Sequence, residues 1–167
     1  DVYVRPLAYK SALQIGLSMI VGGPDEQRLV DDDFTLFAVP FGNYLDIENP
    51  IRCTIASWRR VNDNMIPARA KVTGIYINSS MAKTEAVEAG FDEAIMLTHD
   101  GHVSEGTGEN LFIVRDNMLV TPAVSEDVLE GITRSTIIQI ARDELGLETV
   151  ERPMDRTELF IADELFL

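Results

Sequence analysis

The stretch Ser104-Glu105-Gly106-Thr107-Gly108-Glu109-Asn110-Leu111-Phe112 sets two glycines among carboxylates just ahead of an apolar run. A glycine has no Cβ, so the backbone there can pass close to a flat ligand. Taken alone, the stretch reads as a tight turn between two strands, and the close approach to a ligand is the alternative. Upstream of it, residues 91–98 read as a strand followed by the turn dipeptide Asp100-Gly101. Downstream, residues 110–115 and 118–121 read as a hairpin across Asp116-Asn117.

Further out, Ile75, Ala82, Ala86 and Ala89 recur at helical spacing, predicting a helix over 76–89 with a small-residue face and Gly90 as its stop. Residues 51–58 read as a strand, and 66–71 as a short approach to that helix. A second helix is predicted over 133–145, with Ile137, Ile140, Ala141 and Leu145 facing inward and Gly146 ending it. Residues 149–151 and 163–167 read as strands around a short helix at 156–161. Toward the N-terminus a strand over 1–7 is expected to end near Pro6. Residues 20–24 read as loop, 34–39 as a strand, and Pro40-Phe41-Gly42-Asn43-Tyr44 as a hairpin or interdomain linker. The class is mixed α and β (α+β), with too many hairpin signals for a purely doubly wound sheet.

The 167 residues carry 28 acidic against 14 basic side chains, a formal net charge of −14. Such a balance argues against nucleic acid, which needs clustered Lys and Arg, and against an anionic membrane surface. Apolar residues make up 46%, enough for a sizeable core rather than disorder. The single cysteine, Cys53, excludes an intrachain disulfide and a cysteine-based zinc site. His99 and His102 flank Asp100-Gly101 and read as a solvated turn, with no metal expected. No apolar run reaches the length of a membrane span and no signal peptide opens the chain, so a soluble, cytoplasmic protein is expected. Residue 1 is Asp, and the last residues form the apolar run Glu164-Leu165-Phe166-Leu167; both lead us to expect a segment of something longer.

Only three lysines occur, Lys10, Lys71 and Lys83. Lys10 and Lys83 read as solvated. Lys71 follows Ala68-Arg69-Ala70 and precedes Val72-Thr73-Gly74-Ile75, at an expected handover from strand to helix. A lysine desolvated by such neighbours loses its charge more readily, and a neutral amine is what Schiff-base chemistry requires; a snorkelling structural lysine is the other reading. Glu130-Gly131-Ile132-Thr133-Arg134 opens the second predicted helix, where free N–H groups and a hydroxyl suit a phosphate. Taken together, an amine, a carboxylate and a phosphate cradle are the parts that pyridoxal 5'-phosphate requires.

Lys71-Val72-Thr73-Gly74-Ile75-Tyr76, the 104–112 stretch and Glu130-Gly131-Ile132-Thr133-Arg134, in this order and spacing, resemble the fold-type IV pyridoxal-phosphate enzymes. The chain looks most similar to the branched-chain amino acid aminotransferases, over its whole length. The resemblance implies a D-amino-acid-aminotransferase-like fold and pyridoxal 5'-phosphate as cofactor. It implies Lys71 as the Schiff-base lysine and general acid and base, Tyr76 on the cofactor's phenolic oxygen, Glu105 facing the pyridine nitrogen, and Ile132 and Thr133 on the phosphate. Tyr3-Val4-Arg5 is similar to a Tyr-x-Arg pattern that reads substrate carboxylates, and Phe41 and Tyr44 fall where the family places aromatic pocket walls.

The same resemblance implies that residues 1–44 end a small N-terminal domain and begin a linker, and that 45–167 form most of a larger cofactor domain. Leu, Ile or Val and 2-oxoglutarate are the implied substrates, and a homo-oligomer, a dimer or larger, is the implied assembly. The sister readings are a D-amino-acid or (R)-amine transaminase or an aminodeoxychorismate lyase. A rival of another class is a non-catalytic fragment that only binds a phosphate ligand or a complete subunit.

Overall fold

The computed structural model describes residues 2–13, 15–42, 45 and 48–167, in two compact units, Asp1–Ile47 and Glu48–Leu167.

In the first unit, β1 (Val2–Lys10) pairs antiparallel with a later strand of equal length. Two short strands, β2 (Ile20–Val21) and β3 (Arg28–Leu29), make a small hairpin before β4 (Asp32–Pro40) closes the long pair, from Val2 opposite Pro40 to Lys10 opposite Asp32. Two expectations change here. Pro6 does not end the first strand: it lies opposite Leu36 in a two-stranded ladder whose strands are both edges, where a missing N–H is tolerated. Residues 20 and 21 are paired rather than loop, because Gly22 turns the chain at φ +98 so tightly that a Cβ there would meet the Glu26 carbonyl oxygen at 2.3 Å. Lys10, read as solvated loop, lies on β1 and pairs with Asp32 at 2.6 Å.

The second unit begins with β5 (Cys53–Arg59). Two single 3-10 turns, Ala68–Ala70 and Thr73–Ile75, lead into α1 (Tyr76–Glu88), which returns the chain to β6 (Glu93–Leu97), parallel to β5. Ala82 and Ala86 are buried against Ala56, Ala94 and Met96, so small side chains bring the helix close to the sheet. Ala89 is exposed, since the helix has ended, and Ile75 and Ser79 complete the inner face instead.

Next, β7 (Phe112–Arg115) and β8 (Met118–Thr121) form the expected hairpin. Asp116 and Asn117 take φ of 51° and 62°, the paired left-handed turn that matches strand twist. After it, α2 (Ile132–Asp143) crosses to β9 (Thr149–Glu151), parallel to β8, and a 3-10 turn at Arg156–Phe160 precedes β10 (Glu164–Phe166) on β7. The sheet order is β10-β7-β8-β9. Ile95, Leu97, Val103, Leu111, Ile113, Val120 and Met154 form its main core.

The expected inner face of α2 is corrected. Ile140 and Leu145 are 41% and 65% exposed, whereas Arg134 and Ala141 are buried and Ile137 and Ile138 half-buried. Positions 134, 137, 138 and 141 form one helical stripe. Arg134 occupies it because its guanidinium donates to the Pro122 carbonyl at 3.0 Å and pairs with Glu151 at 2.7 Å. No helix among the described residues is long and apolar enough to cross a membrane.

Candidate active site

Both elements that follow the parallel pair contribute to one cleft, as is usual beyond the carboxyl ends of parallel strands. Lys71, Tyr76, Glu105 and Asn110 line it, with Arg60 and Ser79 at its floor. Lys71 does not stand where a strand meets a helix. It joins the two 3-10 turns in the left-handed conformation, φ 49° and ψ 43°, which a non-glycine residue adopts only when its surroundings impose it. Nor is it buried among apolar neighbours: its side chain is exposed, with Nζ 5.9 Å from the centre of the Tyr76 ring.

The loop before Lys71 is tied down by its own polar groups. Asp63 Oδ1 accepts from the Ala68 N–H at 3.2 Å, and the Asp63 N–H donates to Asp127 Oδ1 at 3.0 Å. Arg69 pairs with Glu130 at 2.6 Å, linking the turn beside Lys71 to the segment that opens α2.

Glu105 is 4% exposed, and the strand-like segment carrying it accepts from the Met96 N–H at 2.9 Å. Arg60 Nη2 lies 2.5 Å from its Oε1. Its Oε2 accepts from Asn110 Nδ2 at 2.9 Å and from the Leu129 N–H at 3.0 Å. A carboxylate offers about four acceptor positions, so these three donors leave one open, on Oε1. Burial pushes the carboxyl up to about 7, while Arg60, the Leu129 N–H and Lys71 pull it back toward ionisation.

The glycines of the 104–112 stretch serve the loop itself at Gly106, where a Cβ would lie 3.0 Å from Glu109 Oε2 and 3.2 Å from its carbonyl oxygen. The close approach that the sequence suggested for a ligand is here the loop folding on its own side chain.

At the start of α2, Gly131 is extended at φ −67° and ψ 141°, and no side chain caps the helix. The N–H groups of its first turn are therefore available to an anion. The side chains of Ile132 and Thr133 are exposed there.

The remaining expected residues lie in the first unit. Tyr3 and Phe41 have ring centres 5.5 Å apart, and the Arg5 guanidinium is 5.2 Å from the Tyr3 ring centre. Arg5 Nε is shielded from solvent with no hydrogen-bond partner. Tyr44 lies outside the described residues.

Sequence reading missed Arg60, Ser79 and the Leu129 N–H. Arg60 follows Trp58-Arg59 at the end of β5 and looks like a surface charge until the fold puts it under Glu105. Lys83, read as solvated, is also corrected: its Nζ is 2.6 Å from the fully buried Glu93 and donates to the Asp92 carbonyl at 2.7 Å. His102, half-buried, has Nδ1 3.0 Å from Glu126 Oε2.

The sequence model described as "Amino-transferase class IV" matches residues 7–167. A probable branched-chain-amino-acid aminotransferase of Aquifex aeolicus is 46% identical over 167 residues, all of this chain and 51% of that protein. The branched-chain-amino-acid aminotransferase of Escherichia coli K12 is 38% identical over 170 residues, 100% of this chain and 52% of that protein. Among solved structures, the branched-chain aminotransferase of Thermoproteus uzoniensis with norvaline is 48% identical at a TM-score of 0.89, covering 99% of this chain and 52% of that one. The branched-chain amino acid aminotransferase of Thermobaculum terrenum, in its PLP-bound holo form, is 38% identical at a TM-score of 0.83, covering 99% of this chain and 52% of that one. The chain thus spans about half the length of the relatives it matches. With the family match running through Lys71, Glu105 and the start of α2, this chain belongs to the class IV aminotransferases.

Proposed function

We propose that this chain carries the pyridoxal 5'-phosphate site of an aminotransferase that exchanges the amino group between branched-chain L-amino acids (Leu, Ile, Val) and 2-oxoglutarate. The observation that carries this reading is the shared cleft of Lys71, Tyr76 and Glu105. The names of the relatives support the substrate class.

The donor set fits the cofactor. An exposed amine and a buried carboxylate with one acceptor position open line one cleft, and an uncapped helix start lies next to Asn110, which bonds that carboxylate. When bound, the cofactor supplies an aldehyde for amine chemistry and a ring that accepts electrons. Lys71 Nζ would be the amine that holds that aldehyde, and as a free amine it would hold and return a proton. Tyr76 Oη donates a hydrogen bond to the neighbouring oxygen. Glu105 Oε1 accepts an N–H from the ring and holds that proton on the nitrogen. The N–H groups of Ile132 and Thr133, with the Thr133 hydroxyl, hold the phosphate at the positive end of α2.

In the first unit, Arg5, with its unpartnered Nε, and the Tyr3 and Phe41 rings are assigned to the substrate's carboxylate and apolar side chain; Tyr44 joins them by resemblance. Homo-oligomeric assembly is part of the same reading, supported by the exposed Val2, Val4, Phe34, Leu36 and Phe37 on β1 and β4.

The test uses the full-length protein. Added pyridoxal 5'-phosphate should give a visible absorbance band, and borohydride should then fix label on Lys71. Leucine should turn over with 2-oxoglutarate, and D-alanine should not. A Lys71→Ala variant with undiminished half-reaction rates, or label on Lys83, overturns the assignment.

A further inference from the structure

Glu105 can hold a proton on a ring nitrogen only while it is itself ionised, and it lies almost out of reach of water. A carboxylate in that position needs a fixed positive partner. Arg60 is placed to be one. Its side chain is 5% exposed and Glu105's is 6%, with Nη2 and Oε1 2.5 Å apart.

The guanidinium is held from two other directions. Nη1 donates to Ser79 Oγ on α1 at 3.1 Å, and Nε donates to the Asp127 carbonyl at 3.4 Å. The Arg60 backbone N–H donates to the Leu97 carbonyl at the end of β6 at 2.8 Å. Asp127, which receives Nε, is itself left-handed at φ 56° and anchored by the Asp63 N–H. A planar fork held on two of its nitrogens presents the third in a fixed direction, as a lysine cannot.

We propose that Arg60 is a positioning residue that keeps Glu105 ionised and turned so that the open position on Oε1 faces the cleft. The proposal rests on the cofactor reading above. The main influences on Glu105 among the described residues can be named. Arg60 and Lys71 favour its ionised form, as does the Leu129 N–H, and Glu109 opposes it together with burial. Arg60 is the strongest of the favourable ones. Without it, Glu105 would take up a proton more readily and would no longer hold one on a ring nitrogen.

The experiment compares full-length parent, Arg60→Met and Arg60→Lys, each loaded with pyridoxal 5'-phosphate. The readouts are the pH titration of the visible band, the single-turnover rate with leucine, and thermal melting without cofactor. Arg60→Met should still give borohydride label on Lys71, but its titration should move by about one pH unit or more. Its single-turnover rate should fall about 10- to 100-fold. Arg60→Lys restores a positive charge and should recover part of both. A purely structural role predicts lower melting temperature with titration and rate unchanged, and that result overturns the proposal. If Arg60→Met does not fold, Arg60→Lys decides: a smaller shift in the same direction supports the proposal, and a parent-like titration overturns it. A parent that takes up no cofactor overturns the site reading and this inference together, whereas a loading parent with parent-like variants overturns only the role of Arg60.

Discussion

Gly131 packs against Asn110 so closely that a Cβ on Gly131 would lie 2.2 Å from Asn110 Oδ1. Asn110 cannot easily turn away, because its Nδ2 bonds both Glu105 Oε2 at 2.9 Å and the Leu129 carbonyl at 2.8 Å. One residue therefore couples the candidate phosphate cradle to the candidate ring partner.

Substituting Gly131→Ala should force Asn110 to move and weaken both ends of that coupling. Its φ of −67° suits alanine, so the effect comes from space and not from backbone strain. Overpacking of this kind costs about 1–3 kcal/mol, read as a lower melting temperature of the full-length protein, and cofactor titration should show weaker binding. Unchanged melting and unchanged uptake would show that Asn110 relaxes freely.

The buried Glu105 gives the protein a pH dependence of definite sign. Its carboxyl is raised from an ordinary 4.5 to about 7, mainly by burial. Below about 4.5 it is protonated in both folded and unfolded chains, and the full stabilising contribution is present. Between 4.5 and 7 the unfolded chain gives up the proton first, so the contribution falls as pH rises and levels off above 7. The loss is on the order of 3 kcal/mol across that window. Denaturant unfolding of cofactor-free Glu105→Gln should lack this slope while the parent keeps it; identical pH profiles would mean that Glu105 does not titrate in the window.

The turns around the candidate site were legible from near neighbours in sequence, although the same neighbours misplaced Lys71, which is exposed between two 3-10 turns. The Asp116-Asn117 turn, the glycine ahead of α2 and the 104–112 loop are all local, and each is found where the sequence puts it. What escaped is the set of charges whose partners are distant in the chain. Arg60 meets Glu105 across 45 positions, and Arg134 reaches Glu151 from a helix face that apolar periodicity alone assigns to other residues. Lys83 shows why: one residue past Ala82 and so off the small-residue face, it reads as solvated. Its partner Glu93 lies on a strand buried on both faces and also accepts from Thr107 Oγ1 at 2.6 Å. A buried charge is recognisable only once its counter-charge is placed.

Arg5 offers a test confined to the first unit. Its guanidinium lies 5.2 Å from the Tyr3 ring centre, and Nε is buried without a partner, which is costly unless something accepts from it. An α-carboxylate is common to every amino acid and oxo acid in the proposed reaction, and a planar fork matches it in a way a lysine ammonium does not. Arg5→Lys in the full-length protein should therefore raise KM for leucine and for 2-oxoglutarate alike, by about tenfold or more for the loss of a charge-assisted hydrogen bond. Cofactor uptake and the Lys71 label should be unchanged, because no residue assigned to the cofactor lies in this unit. A rise for 2-oxoglutarate alone would assign Arg5 to its side-chain carboxylate instead, and no rise for leucine or 2-oxoglutarate would leave it a structural residue of β1.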